Sequence, residues 1–174
     1  MKLKRYRMKV FAALAAAATI AIAGTGTASA ASSTDDEVDA SAILYWIFEN
    51  KTTGECLATY KSGAIRSVGC YGAGDAAQWH WIKSSWNDDY RLLKNKWTGK
   101  CLIGTEPITS GNCEDWTSRH WRNIPWSDRY YLRNAEKNQF LRDNYFGANE
   151  LDLADWSSDS NIVWSMNQAV VVTP

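Results

Sequence analysis

The sequence predicts an all-β domain with internal threefold repetition, and three observations support this prediction. First, "NKTTGECL" at residues 50–57 is followed by "NKWTGKCL" at 95–102 and "NAEKNQFL" at 134–141. Second, an aromatic segment leads into each copy: "YWIFEN", "YRLLKN" and "YYLRN". Third, short aromatic and β-branched segments alternate with clusters of Gly, Asn, Asp and Ser, and no window keeps a helical stripe of apolar residues.

The spacing of the repeats indicates the architecture. Trp81, Trp121 and Trp164 are interpreted as one anchor per repeat, so each repeat spans about 40 residues and has room for about four short strands. Such units favour a closed β-trefoil, since an open array needs capping repeats and a propeller normally has at least four blades. The predicted repeats cover about residues 45–86, 87–126 and 127–170.

The first thirty residues have the features of a secretory signal peptide. "MKLKRYRMK" contains five basic residues and no acidic one, an apolar run follows, and "ASA" ends at Ala30. This pattern predicts cleavage after residue 30, secretion to the extracellular space and no membrane insertion of the mature chain. An uncleaved signal anchor is the alternative reading.

The charge of the mature chain argues against two classes of partner. The full chain has 19 Lys/Arg and 19 Asp/Glu, and five of the basic residues stand in the predicted leader. Residues 31–174 would therefore have a net charge of about −5. Because an acidic protein is poorly suited to neutralising phosphates, neither nucleic acid nor an anionic membrane is a predicted partner.

Residues 31–44, "ASSTDDEVDASAIL", are predicted to form an acidic, flexible tail before a single domain at 45–174. The last four residues of the tail, Ser41, Ala42, Ile43 and Leu44, run directly into "YWIF". They are candidates for docking on a partner by strand addition. A merely solvated leader is the alternative.

Four cysteines allow three disulfide connectivities. They occupy matching places in repeats one and two: Cys56 and Cys70, then Cys101 and Cys113. Repeat symmetry therefore predicts one disulfide within each of these repeats. Repeat three has Phe140 and Trp156 at these places, and contact between the two rings is predicted to take over the role of the disulfide. Since no Cys-x-x-Cys pair is present, neither a zinc site nor a cofactor is predicted.

The chain resembles the ricin B-type β-trefoil family, which includes the R-type lectins. The resemblance covers about residues 45–168 and rests on "GECL", "GKCL", a second Cys 12 to 14 residues later and a Trp that closes each unit. It implies a β-trefoil fold. In sugar-binding members it also implies an Asp after Cys-Leu, which accepts bonds from hydroxyl groups, and an aromatic residue two places before the second Cys.

The sugar-binding positions implied by this resemblance are substituted. The Asp positions hold Ala58, Ile103 and Arg142, and the aromatic positions hold Val68, Gly111 and Ala154. Fold alone does not determine function, so sugar binding is not the first expectation.

Two groups of residues remain candidates for binding. The first is a polar and aromatic cluster in repeat three: Asp143, Asn144, Tyr145, Asn149 and Asp152. Such residues suit a glycan, and a solvated loop is the alternative because Asp143 is one residue out of register. The second group consists of Trp97, in the turn of the second hairpin, and Trp116, although most of the ten tryptophans are expected in the core.

The sequence predicts binding rather than catalysis. His80 and His120 are both interpreted as preceding an anchor Trp, which indicates a shared structural position, and no nucleophile or carboxylate motif accompanies them. A protein partner is favoured, for example in an adaptor subunit of a secreted toxin complex. A divergent lectin that binds a cell-surface glycan is the alternative, and a Kunitz-type protease inhibitor is a third class.

Overall fold

Twelve strands make up the protein in this computed structural model, which describes residues 42–86, 88–144, 150–157 and 160–172. The strands are β1 (Ile43–Asn50), β2 (Glu55–Thr59), β3 (Ile65–Gly69), β4 (Trp79–Lys83), β5 (Arg91–Asn95), β6 (Cys101–Ile103), β7 (Thr109–Gly111), β8 (His120–Trp126), β9 (Arg129–Asn134), β10 (Phe140–Asn144), β11 (Glu150–Ala154) and β12 (Trp164–Val172). Short 3-10 turns precede β4, β8 and β12. Within the described ranges no helix is long and apolar enough to cross a bilayer.

Six of the strands close into a barrel. β1 pairs with β4, β4 with β5, β5 with β8, β8 with β9, β9 with β12, and β12 with β1, all antiparallel. The other six form the hairpins β2–β3, β6–β7 and β10–β11. Each run of four consecutive strands therefore contributes two barrel strands and one hairpin. The prediction of three all-β repeats is confirmed.

The core is built from three positions that recur in every repeat. Their nine side chains are fully buried: Phe48, Leu93 and Leu132; Leu57, Leu102 and Leu141; Trp79, Trp121 and Trp164. Each indole N–H donates a hydrogen bond of 2.8–3.0 Å to the carbonyl of the Leu in the second set of its own repeat. Burial and satisfaction of the polar edge of each ring explain why tryptophan closes each repeat.

The anchor of repeat one is Trp79, so the assignment of Trp81 to this role is wrong. Trp81 is only half-buried. The two rings share one face of β4, because side chains on a strand alternate with a period of two, and the pattern alone does not distinguish them. The connection between β4 and β5, at 84–90, is also longer than the connection between β8 and β9, at 127–128. This difference in length misaligns the anchor Trp of repeat one with that of repeat two.

A buried asparagine explains why the phrase beginning with Asn recurs. Asn50, Asn95 and Asn134 are at most 1 % exposed. In repeat three the Asn134 Oδ1 accepts bonds from the amides of Glu136 and Lys137, both at 3.1 Å, and its Nδ2 donates to the carbonyl of residue 118 at 2.9 Å. One side chain thus closes the turn and fastens it to the preceding repeat.

The two predicted disulfides are confirmed, and repeat three uses the predicted ring contact. Cys56 is bonded to Cys70 and Cys101 to Cys113. In repeat three the rings of residues 140 and 156 meet edge to face at 5.5 Å. All three hairpins are therefore tied to the segment that follows them, twice covalently and once by aromatic packing.

The first barrel strand begins earlier than the predicted domain boundary. Ile43 pairs with Val172 and Leu44 with Val171, so both residues belong to β1 and not to a tail. The reason is that β12 extends far enough to offer them partners. Ala42 is exposed, and Ser41 lies outside the described residues together with the rest of the predicted tail.

Candidate functional site

Half of the ten tryptophans are exposed, so the expectation that most of them lie in the core is wrong. The exposed fractions are 49 % for Trp86, 47 % for Trp97, 65 % for Trp116, and 55 % for both Trp126 and Trp156. The barrel has only three equivalent positions for a buried indole, one in each repeat. None of the five exposed rings occupies one of these three positions.

Two of the exposed tryptophans form a patch with buried rings beneath them. We call Trp126, Tyr131, Phe140 and Trp156 the aromatic patch. The two indoles stack with centroids 5.6 Å apart and planes 19° apart. Tyr131 lies 5.3 Å from the first indole and 4.8 Å from the second, and Tyr131 and Phe140 are below 10 % exposed. The exposed rings thus rest on a fixed base.

The backbone of two repeats brings these rings together. Trp126 ends β8 opposite Arg129, and a two-residue turn joins them, with Ser127 at a φ of 58°. A positive φ suits the tight turn of a hairpin. Phe140 pairs with Ala154 at the end of β11, which places the following residues, Trp156 among them, beside β10.

The base of the aromatic patch is apolar. Tyr131 and Phe140 pack in one cluster with the buried residues Ala154, Ile162 and Val163. Burial raises the pKa of the Tyr131 hydroxyl above its usual value, against a smaller opposing effect of Arg129, so the phenol is neutral at physiological pH. A neutral aromatic surface of this kind can bury area against a partner.

Trp97 and Trp116 are exposed, and a cation lies near each ring. The Lys61 ammonium is 5.6 Å from the Trp97 ring centroid, and the Arg119 guanidinium is 5.4 Å from that of Trp116. Arg119 also pairs with Glu114 at 3.6 Å. Both tryptophans therefore offer a ring to a ligand, each beside a positive charge.

The predicted repeat-three cluster does not form a surface site around Asp143. This residue is 2 % exposed, and its carboxylate accepts hydrogen bonds from the hydroxyls of Thr53 at 2.5 Å and Ser67 at 2.6 Å. Its place in the cluster is therefore wrong. The shift of one residue turns the side chain to the inner face, where it fastens repeat three to repeat one.

The other members of that cluster are placed in different ways. Asp152 makes a bidentate ion pair with Arg142, at 2.8 and 2.6 Å. Asn144 is half-buried at the end of β10, while Tyr145 and Asn149 lie outside the described residues. Both oxygens of the Asp152 carboxylate are therefore bound by an arginine of the same hairpin.

The positions that the family uses for sugar carry no free carboxylate and no aromatic ring. The Asp positions hold a buried Ala58, a half-buried Ile103 and the paired Arg142. The ring positions hold Val68, Gly111 and Ala154, none of them exposed. The substitutions therefore remove the carboxylate and the stacking ring at all three places.

A cluster of Ser84, Asp115 and His120 resembles a catalytic triad in composition but not in geometry. The His120 Nε2 lies 2.8 Å from the Ser84 hydroxyl and 2.5 Å from the Asp115 carboxylate, which also accepts from Ser84 at 2.9 Å. Its Nδ1 is buried without a partner among the described residues. A triad uses the two ring nitrogens for different partners, so Ser84 is not positioned as an activated nucleophile.

This cluster joins the connection that follows β4 to the connection that precedes β8. Asp115 also accepts from the backbone and hydroxyl of Ser85, and the exposed Trp86 ring stacks on His120 at 4.9 Å and 13°. His120 precedes the anchor Trp121, whereas His80 follows the anchor Trp79. The interpretation of the two histidines as equivalent is therefore wrong, because it rested on Trp81.

Protonation of Asp115 is expected to loosen this connection at low pH. Hydrogen bonds from Ser85 and then His120 hold the pKa of Asp115 well below its usual range. Because the folded-state pKa is depressed, the stabilisation is present above the unfolded-state value of about 3.9 and is lost as the pH falls below it. Urea unfolding from neutral pH down to about pH 2.5 measures this loss.

Two variants make the pH experiment specific. Asp115→Asn should be less stable than the wild type at neutral pH, with a flatter profile below about pH 4. Asp128→Asn removes an exposed carboxylate that pairs with its neighbour Arg129, and it should keep the wild-type profile. Parallel profiles for the wild type and Asp115→Asn would rule out the proposed role of Asp115.

Comparisons with solved structures establish the architecture. The BEL β-trefoil is 9 % identical with a TM-score of 0.64, and the match covers 72 % of this chain and 93 % of that one. The chain has the β-trefoil fold. Other β-trefoil structures that match are SeviL bound to asialo-GM1 saccharide (15 % identity, TM-score 0.62, 74 % and 99 % covered) and the Haemophilus ducreyi cytolethal distending toxin (13 %, 0.61, 75 % and 86 %).

These likenesses establish the fold alone, because the identities are low. No protein-family model and no curated protein sequence matches the chain. The β-trefoil predicted from the repeats is confirmed. The structures that share it include a saccharide complex and a toxin.

Proposed function

We propose that this protein is a secreted, non-catalytic recognition domain that docks on a protein partner through the aromatic patch. The stacked pair of Trp126 and Trp156 is the observation that carries the proposal. Both rings are 55 % exposed, whereas the other two rings of the patch, Tyr131 and Phe140, are buried beneath them. Large rings held in place at a surface are the side chains that dominate binding energy in protein interfaces.

A protein partner fits this patch better than a free sugar. The described base beneath the indoles is apolar, and sugar recognition needs fixed polar groups beside the stacking ring. The positions that supply such groups in the resembling family hold Ala58, Ile103 and a paired Arg142. An apolar concave surface on another protein would bury both indoles without leaving a polar group unpaired.

Export and fold support an adaptor role in a secreted assembly. The predicted leader at residues 1–30 would send the chain to the compartment in which its two disulfides form. The cytolethal distending toxin of Haemophilus ducreyi shares the fold over three quarters of this chain. An adaptor subunit of a secreted toxin complex is therefore the specific form of the proposal.

Site-specific photocrosslinking from the aromatic patch tests this function. A benzoylphenylalanine in place of Trp156, in the full chain secreted by its native cells, should form a covalent adduct with one discrete secreted protein. The same group in place of Trp116, which is more exposed, should not form that adduct. Equal adducts at both positions, or none from residue 156, would refute the proposal.

Removal of Trp126, the other exposed indole of the patch, measures how much the patch contributes to the affinity for the partner. Trp126→Ala should lower the affinity for the captured partner roughly thirtyfold, because hot-spot tryptophans contribute about 2 kcal/mol or more. A thermal melt controls for folding, since Trp126 is more than half exposed. Unchanged affinity in a folded variant would place the interface elsewhere.

A further inference from the structure

The turn between β5 and β6 places an exposed ring near the turn between β2 and β3, and each turn contains a lysine. Both turns lie outside the aromatic patch. Trp97 stands in this turn, with the Lys61 Nζ 5.6 Å from its ring centroid. The Lys100 Nζ donates to the Lys61 carbonyl at 2.7 Å, so the second ammonium group contacts the backbone of Lys61. We call Lys61, Trp97 and Lys100 the repeat-two turn site.

The ring of this site is carried by a fixed backbone. The buried Asn95 Oδ1 accepts hydrogen bonds from the amides of Trp97 and Thr98, both at 3.0 Å. Gly99 adopts a φ of 67°, which closes the turn with a conformation that favours glycine. A ring held on such a turn loses little freedom on binding, and this lowers the cost of association.

The two lysines of the site have charge to offer. No described carboxylate lies within ion-pair distance of Lys61 or Lys100, whereas the nearby Lys96 is paired with Asp75 at 2.9 Å. The mature chain as a whole is predicted to be acidic. Two ammonium groups that no described carboxylate neutralises, near an exposed indole, therefore form a local site for an anion on a chain that is predicted to be acidic.

We propose that the repeat-two turn site binds a saccharide that carries a carboxylate. One acidic sugar residue supplies both features that the site demands: an apolar C–H face for the indole of Trp97 and a carboxylate for Lys61 and Lys100. An aspartate or glutamate side chain of a peptide supplies the charge but no face for the ring. A bound sugar would take the place of the Lys61 ammonium over the ring and pair with it at the rim.

This site differs in chemistry and position from the aromatic patch. The patch has an apolar base and consists of residues of repeat three together with the end of β8. The turn site consists of one turn of repeat one, between β2 and β3, and one turn of repeat two, between β5 and β6. One chain can therefore hold a protein partner and a cell-surface glycan at the same time. The glycan site does not depend on the proposed function, since it rests on other residues.

Binding of 3′-sialyllactose and lactose tests the proposal, because the two probes differ by one carboxylate-bearing sugar. Titration calorimetry on the full secreted chain should show saturable binding of 3′-sialyllactose, about tenfold tighter than lactose, as expected for one charge-assisted contact. Lys61→Gln with Lys100→Gln should abolish the preference, and Trp97→Ala should abolish the binding. Trp126→Ala, in the aromatic patch, should leave it unchanged.

Controls separate this site from general attraction of anions. Lys83→Gln removes an exposed lysine at the end of β4, opposite the start of β5, and it should bind 3′-sialyllactose like the wild type. Equal affinity for lactose and 3′-sialyllactose would overturn the proposal. So would tighter binding of hexaglutamate or of a heparin-derived oligosaccharide, which would identify an acidic peptide or a sulfated polyanion as the ligand.

Discussion

Replacing Trp79 by alanine is expected to lower the free energy of unfolding by about 3 to 5 kcal/mol, in the range for the loss of a large core ring. The indole is fully buried and donates a hydrogen bond to the carbonyl of Leu57 at 2.8 Å. Alanine would leave a cavity between the barrel and the first hairpin and an unpaired carbonyl beside it. Both effects act in the same direction.

The same substitution at Trp81 is the matched control. Trp81 is half-buried on the same strand and packs edge to face on Phe48 at 5.9 Å. Its loss is expected to cost about 1 to 2 kcal/mol, the usual size for a partly exposed side chain. Urea unfolding followed by circular dichroism measures both variants. A larger loss for Trp81→Ala would restore it as the anchor and contradict the threefold packing described above.

The fold could be predicted because its symmetry is written in the sequence. Three copies of one phrase, each with a hairpin and a closing Trp, favour a closed threefold arrangement in which the three repeats share one core. The pairing of Cys56 with Cys70 followed from that symmetry. So did the replacement of a disulfide by Phe140 and Trp156, since two large rings can hold the same two segments.

Errors arose where neighbouring residues satisfy the same pattern. Trp79 and Trp81 share a face of one strand, but only Trp79 is fully buried and donates to the carbonyl of Leu57. Asp143 looked like a member of a polar surface cluster, but it reaches hydroxyls of another repeat across 76 and 90 residues of chain. Such long-range pairing of polar groups leaves no periodic signal.

The aromatic patch was missed for a related reason. The repeat pattern assigns no role to Trp126, and it indicates that Trp156 is a structural substitute for a cysteine. Each does have a structural role, because each packs on Tyr131. What no local pattern reveals is that a tight turn and a strand register bring them within 5.6 Å of each other at the surface.

Replacing Asn134 by aspartate is expected to destabilise the protein more than replacing it by alanine, by about 4 kcal/mol against about 3 kcal/mol. Alanine removes both functions of the side chain. Aspartate keeps the acceptor for the turn amides of Glu136 and Lys137, but it turns an oxygen towards the carbonyls of Ser118 and His120, where the Nδ2 group donates at 2.9 and 3.4 Å.

The order of the two variants distinguishes the two functions of Asn134. If the Nδ2 bonds to the preceding repeat contribute most of the stability, the aspartate is the worse variant. Its second carboxylate oxygen then faces two carbonyls with no hydrogen-bond donor, which costs more than the small cavity left by alanine. If the Oδ1 bonds that close the turn contribute most of the stability, Asn134→Asp should be the less destabilising variant. Asn112→Ala, an exposed position, is the control for a general effect of losing an amide. Equilibrium urea unfolding of the three variants measures the order. The same order is expected at Asn50 and Asn95, because each Oδ1 accepts from its own turn and each Nδ2 donates to a carbonyl of another repeat.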